Sequence, residues 1–142
     1  LVFPADTARS IGTATAKRVL GQDILSSTAP NLVEGKEMWL YNGFGSGGNV
    51  GPGNASDASG IVIDNTSNPP RLYVSDTFNN RVLGFKDART VKPGDYADIV
   101  IGQPDLQRTG INWPAGRQDV NSRPTDQGLF HPSGLAVDSN GD

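Results

Sequence analysis

This chain repeats itself, and the repeats restrict the folds open to it more than any other feature. Ser59-Gly60-Ile61-Val62-Ile63-Asp64 returns in pattern as Ser133-Gly134-Leu135-Ala136-Val137-Asp138. Val19-Leu20-Gly21-Gln22-Asp23 returns as Val100-Ile101-Gly102-Gln103-Pro104-Asp105, and Leu1-Val2-Phe3 as Leu83-Gly84-Phe85. A competing alignment sets Arg18-Val19-Leu20-Gly21 on Arg81-Val82-Leu83-Gly84. The first alignment is preferred because it keeps two landmarks and their spacing. Self-similarity on this scale signals supersecondary units stacked side by side, each burying its apolar surface against the next.

The unit can be read from its centre. Ile61-Val62-Ile63, Leu72-Tyr73-Val74 and Val82-Leu83-Gly84-Phe85 are short β-branched or aromatic runs, separated by Asn65-Thr66-Ser67-Asn68-Pro69-Pro70 and Thr77-Phe78-Asn79-Asn80. Such runs between turn clusters predict strands in a meander. Strands are expected at 60–64, 71–76, 81–86 and 97–103, a unit of about 44 residues, the size of a four-stranded propeller blade. Strands sandwiched between neighbouring blades should read as unbroken apolar runs, as Ile61-Val62-Ile63 and Ile99-Val100-Ile101 do. The fold class predicted is all-β, with antiparallel blades of a β-propeller present as a partial set. Residues 1–22, with a strand at Lys17–Gln22, end one blade; 59–103 form a whole blade; 131–142 begin the next. Residues 23–58 and 104–130 are loop insertions. The 18 Gly, 10 Pro and single Met suit short strands and turns better than helices.

Gly60-Ile61-Val62-Ile63-Asp64, Leu72-Tyr73-Val74-Ser75-Asp76-Thr77 and Asn79-Asn80-Arg81-Val82 together resemble the NHL-repeat family of β-propellers. The resemblance covers 59–86, 97–103, 131–142 and 1–22, and leaves out the two insertions. It implies a ring, typically six-bladed, that binds a ligand or partner on one face. Some related propellers are lyases or hydrolases that use metals and His, Arg or Tyr at the central channel.

Composition narrows the function classes. The net charge is −3 and there is no basic run, so nucleic-acid binding has no electrostatic support. Cysteine is absent, which removes disulfides and thiolate–metal sites. No apolar run approaches the roughly 20 residues of a membrane helix. The chain opens without Met or a basic leader and reads as a processed or excised piece, with any export signal outside it. Closing a propeller takes at least four blades, roughly 160 residues. The expected partners are therefore further blades of the same chain or copies of it, plus a protein or carbohydrate ligand. No cofactor is expected.

No catalytic constellation is apparent. Asp76, Asn79, Asn80 and Arg81 read as turn architecture, with Asp76 and Asn79 capping the turn and Arg81 held by a carboxylate or carbonyls. The alternative is a ligand-facing arginine. His131 is the sole histidine, with no second His or Cys to complete a metal site. Ser133 lies near it, but the equivalent Ser59 has no histidine, which argues against a nucleophile pair. Asp138-Ser139-Asn140-Gly141-Asp142 alternates oxygen ligands like a calcium loop, yet its Gly is misplaced and no bidentate Glu follows, so a hairpin turn is expected. The glycine-rich stretch 42–53 lacks the Gly-Lys-Ser/Thr of a phosphate loop. Glu34 and Glu37, three apart, show nothing that would tune an acid–base pair. Trp39, Tyr41, Phe44 and Trp113 lie in the insertions and are the candidate binding aromatics. Asn54 and Asn65 begin N-glycosylation sequons in loops.

Three readings of function follow. The first is a non-enzymatic extracellular or cell-surface binding or scaffolding propeller. The second is a subunit of an extracellular fibre completed by neighbouring copies. The third is a fragment of a propeller lyase or hydrolase.

Overall fold

The computed structural model describes residues 1, 15–26, 32–40, 59–114 and 123–142. Four strands, β1 (Ile61–Asp64), β2 (Arg71–Asp76), β3 (Arg81–Phe85) and β4 (Ile99–Ile101), pair antiparallel in chain order to make one sheet. The strand-rich, antiparallel architecture expected from the repeats is present. Each bend is set by its own chemistry. After β1, the Asp64 carboxylate accepts the Thr66 N–H at 2.8 Å and the Thr66 hydroxyl at 2.6 Å, closing an Asx turn. Between β2 and β3 a 3₁₀ turn spans Thr77–Asn79 and ends at Asn80, whose φ of 52° lies in the left-handed region that asparagine tolerates. β4 stops at Gly102, which has φ 90°.

Register divides the side chains between two faces, because successive residues of a strand point oppositely. Ile61, Val74, Leu83 and Val100 form one row, and Ile63, Leu72 and Phe85 the next, on the first face. Leu72, Val74, Leu83 and Phe85 are buried there with Val91 and Ala97, and Leu20, Met38, Leu40 and Leu106 pack against them. Burying one such side chain contributes about 1.5–3 kcal/mol. Backbone bonds fasten this cover: Gly94 N–H to Gln22 O at 3.2 Å and Ala97 N–H to Gly35 O at 2.8 Å. Arg18 Nη1 adds a bond to Val91 O at 2.6 Å. At the β1 edge of this face Ile61 and Ile63 stay 65% and 50% exposed.

The second face carries Val62, Tyr73, Gly84 and Ile99 in one row, with Ser75, Val82 and Ile101 in the next. Residues 129–142 lie over it and leave an apolar cavity of about 470 Å³ lined by Val62, Tyr73, Val82, Ile101, Leu135 and Val137, among others. Gly84 makes room for the Tyr73 ring beside it. A Cβ at Gly84 would stand 2.8 Å from Tyr73 Cε1 and 3.0 Å from Ile99 Cβ. Gly60 packs so closely on the Ser133–Leu135 backbone that a Cβ would lie 2.3 Å from Ser133 O.

Several expected strands are shorter or absent. Lys17–Gln22 forms no strand; Gly21 makes one isolated parallel bridge to Glu37. Its φ of 81° turns the chain out of an extended path. The strand expected at 97–103 contracts to Ile99–Ile101, because Ala97 bonds Gly35 and Gly102 turns away. Residues 132–138 carry no strand assignment. Val2 and Phe3 lie outside the described residues.

Gly84→Ala is expected to lower the unfolding free energy by about 1–3 kcal/mol through overpacking against Tyr73. In urea denaturation, adding Tyr73→Val should cost less than the two single changes summed, since both act on the same contact.

Candidate functional site

The register pairs Asp76 with Arg81 at the end of the first face, and both side chains are fully buried. Asp76 Oδ2 accepts Arg81 Nε at 2.7 Å and Asn79 Nδ2 at 2.9 Å. Oδ1 accepts the Trp39 backbone N–H at 2.7 Å and Asn79 Nδ2 at 3.0 Å. Arg81 Nη1 donates to the Leu106 carbonyl, and Nη2 is buried without a partner among the described residues. Asp76 precedes the 3₁₀ turn but does not cap its N–H groups, contrary to the turn-capping expectation. Its carboxylate points inward, because strand alternation aims it at the core, and takes its donors from the Asn79 side chain, from Arg81 and from the Trp39 backbone.

The rest of the turn also reaches outward. Thr77 Oγ1 donates to Pro132 O at 2.8 Å and lies 2.9 Å from Ser59 Oγ, which itself bonds Leu40 O at 3.0 Å. Asn80 Nδ2 donates to Thr109 O at 3.0 Å, and Asn80 Oδ1 accepts the His131 N–H at 3.2 Å. Gln103 Nε2 bonds the carbonyls of Asn80 at 2.9 Å and Gly110 at 2.7 Å, while its Oε1 accepts Gly110 N–H at 3.0 Å. The β2–β3 turn therefore holds three separate stretches of chain: 39–40, 106–110 and 131–132.

That clamp aligns a row of rings. Trp39 meets Phe78 with centroids 5.5 Å apart, Phe78 meets His131 edge-on at 5.1 Å, and His131 meets Phe130 at 4.4 Å. These are favourable aromatic separations. Phe78 N–H bonds Trp39 O at 3.2 Å, tying the first pair through the backbone as well. Trp39 and Phe130, at the ends, are each 40% exposed. The sequence patterns single out Trp39 as a binding aromatic and His131 as the sole histidine, but not Phe78 or Phe130. The available signal was an aromatic residue inside an otherwise polar turn, Thr77-Phe78-Asn79-Asn80.

The other candidates lie elsewhere. Trp113 takes part in no ring contact among the described residues; its carbonyl accepts Thr125 Oγ1, and Gly128 packs on its backbone. Tyr41, Phe44 and Asn54 fall outside the described residues. Asn65 is exposed beside the Asp64 turn. Asp138 Oδ1 accepts the N–H groups of Asn140 at 2.7 Å and Asp142 at 3.1 Å, so the would-be calcium ligand is occupied by its own turn. Ser133 offers its carbonyl to Ser75 Oγ at 2.9 Å. Glu34 and Glu37 do come together, around Lys36 Nζ at 3.3 and 3.5 Å, with Asp23 at 3.4 Å. Burial pushes the Glu37 carboxyl up, and its Oε2 has no partner among the described residues. Lys36 is held protonated by Glu34 first and then Asp23. Among the described residues, no three metal-ligating side chains cluster, and no helix is long and apolar enough to cross a membrane.

No family model, no curated protein and no solved structure matches this chain.

Asp76→Ala strands the Arg81 charge in the core and should lower stability by about 3–5 kcal/mol in urea denaturation. Asp76→Ala combined with Arg81→Met should recover part of that loss. The acidic groups respond to pH with opposite signs. Thr66 holds Asp64 below the usual carboxylate range, and the Asp142 N–H does the same for Asp138. Their contribution is present above that range and lost as pH falls through the lowered values. Glu37, raised by burial, favours folding when protonated, so its contribution fades as pH rises through its raised value. Glu37→Gln should raise the unfolding midpoint at neutral pH and leave it unchanged in acid, which thermal melts across pH will read.

Proposed function

We propose that this chain is part of an NHL-type β-propeller that serves as a non-enzymatic binding or scaffolding module outside the cell or at its surface. The observation that carries this reading is the contact between the two copies of the Ser-Gly repeat. Gly60 lies directly on the Ser133–Leu135 backbone, so the starts of consecutive units are neighbours, as the inner strands of adjacent blades are in a ring. Other repeat positions share geometry. Gly21 and Gly102 have φ 81° and 90°, and Asp64 and Asp138 each bind the N–H two residues on. Residues preceding the sheet, Leu20, Met38 and Leu40, help to cover one face, and residues following it, 129–142, lie over the other.

The charged groups of the turn motif bind each other, and the sole histidine packs within an aromatic row. This supports a binding role over a catalytic one. Further sheets, from the same chain or from copies of it, would cover the exposed Ile61 and Ile63 and complete the apolar cavity on the other face. The β1 edge, unpaired among the described residues, also favours the fibre reading, since unpaired strand edges recruit other strands.

Negative-stain microscopy with light scattering tests both. Discs assembled from several copies support the propeller, and filaments support the fibre. A monodisperse, folded monomer of this chain would overturn the reading. Ile61→Asp with Ile63→Asp should shift any assembly of copies toward smaller species without unfolding the sheet, since both side chains are half or more exposed.

A further inference from the structure

We infer that the aromatic row is a binding site for a neutral glycan, with sugar rings against Trp39 and Phe130 and hydroxyl groups on the Trp39 indole and the His131 imidazole. The inference rests on the binding-module reading above and names the ligand class for one surface of it.

Four observations carry it. The row is exposed at both ends, at Trp39 and Phe130, while Phe78 and His131 are half-buried between them. Aromatic faces of this kind pack against the C–H face of a pyranose, as they do against other apolar surfaces. The row is also held before any ligand arrives. Trp39 N–H is fixed by Asp76, Phe78 N–H by Trp39 O and His131 N–H by Asn80. Holding the rings in place lowers the ordering cost of binding, which makes Asp76 and Asn80 positioning residues.

The hydrogen-bonding groups of the row are uncommitted. Neither the Trp39 indole N–H nor a ring nitrogen of His131 has a hydrogen-bond partner among the described residues, although the backbone of each residue is bonded. Finally, the charged side chains of the turn that holds the row, Asp76 and Arg81, are buried and paired with each other, and the chain as a whole is acidic. A phosphate-bearing or otherwise anionic ligand finds no exposed counter-charge in that turn. Sugar hydroxyls present donors and acceptors together, so they can meet the donor-only Trp39 indole N–H and the His131 ring nitrogens alike. A polyproline peptide offers carbonyl acceptors alone, without the donors that sugar hydroxyls add.

The test uses the full chain carrying Trp113→Phe, which leaves Trp39 as the only indole. Cellopentaose, laminarihexaose and decaproline are titrated separately, with calorimetry and Trp39 fluorescence as readouts. At least one of the two sugars is expected to bind and shift the Trp39 emission. Trp39→Ala (read by calorimetry) and His131→Ala should each weaken that binding by about tenfold or more, the scale of losing one anchor, while thermal melts show both variants still folded at the titration temperature. Silence from both sugars on folded protein overturns the inference, as does sugar binding that survives Trp39→Ala. Decaproline binding with silent sugars replaces the glycan by a peptide and leaves the binding-module reading standing. That reading fails separately, by the monodisperse monomer described above.

Discussion

The Asp76 carboxylate is the point on which this structure turns. It is fully buried and accepts bonds from Arg81, from Asn79 and from the backbone of Trp39, nearly forty residues away in sequence. A buried ion pair of this kind gains little over an apolar pair, because desolvation cancels most of the attraction. Its effect is on geometry. A carboxylate sealed from water must find donors, and here the donors come from the β3 start, the β2–β3 turn and the Trp39 strip. Satisfying the charge therefore fixes where all three lie.

The same economy runs along the turn. Thr77 and Asn80 expend their side chains on carbonyls and an N–H of distant segments rather than on the turn itself. The bonds bring Trp39, Phe78 and the Phe130–His131 pair to one end of the sheet. Stability and surface chemistry thus share one set of residues: the polar turn beneath holds the fold, and the rings above it face outward. The sheet carries a second consequence of the repeats. Glycines at 60 and 84 remove side chains where backbone or ring must approach, so the second face can receive both Tyr73 and the 133–135 backbone.

Much of the fold was legible in the sequence. The runs around Val62, Tyr73 and Leu83 mark β1, β2 and β3 to within a residue or so, because a short β-branched run between turn residues has few other outcomes. Lys17–Gln22 shows where that logic ends. Its apolar pattern resembles β4, but only Arg18 and Gly21 in it are bridged, and the positive φ of Gly21 turns the chain out of an extended path. The candidate site was legible in part. Asp76, Asn79 and Arg81 were identifiable as a set, since their spacing places them at one turn. Of the candidate binding aromatics among the described residues, Trp39 joins the row and Trp113 sits apart.

The difference has one physical cause. Strand runs, turn residues and the repeat are local properties, set by side-chain shape and backbone preference over a few residues, so sequence determined the meander, its turns and the two-faced alternation of its strands. Which distant segments those turns would hold depends on long-range hydrogen bonds made only when buried polar groups seek partners. Tertiary structure alone decided that Asp76 would take Trp39, that Asn80 would take His131, and that four rings scattered over ninety positions would stand in one row.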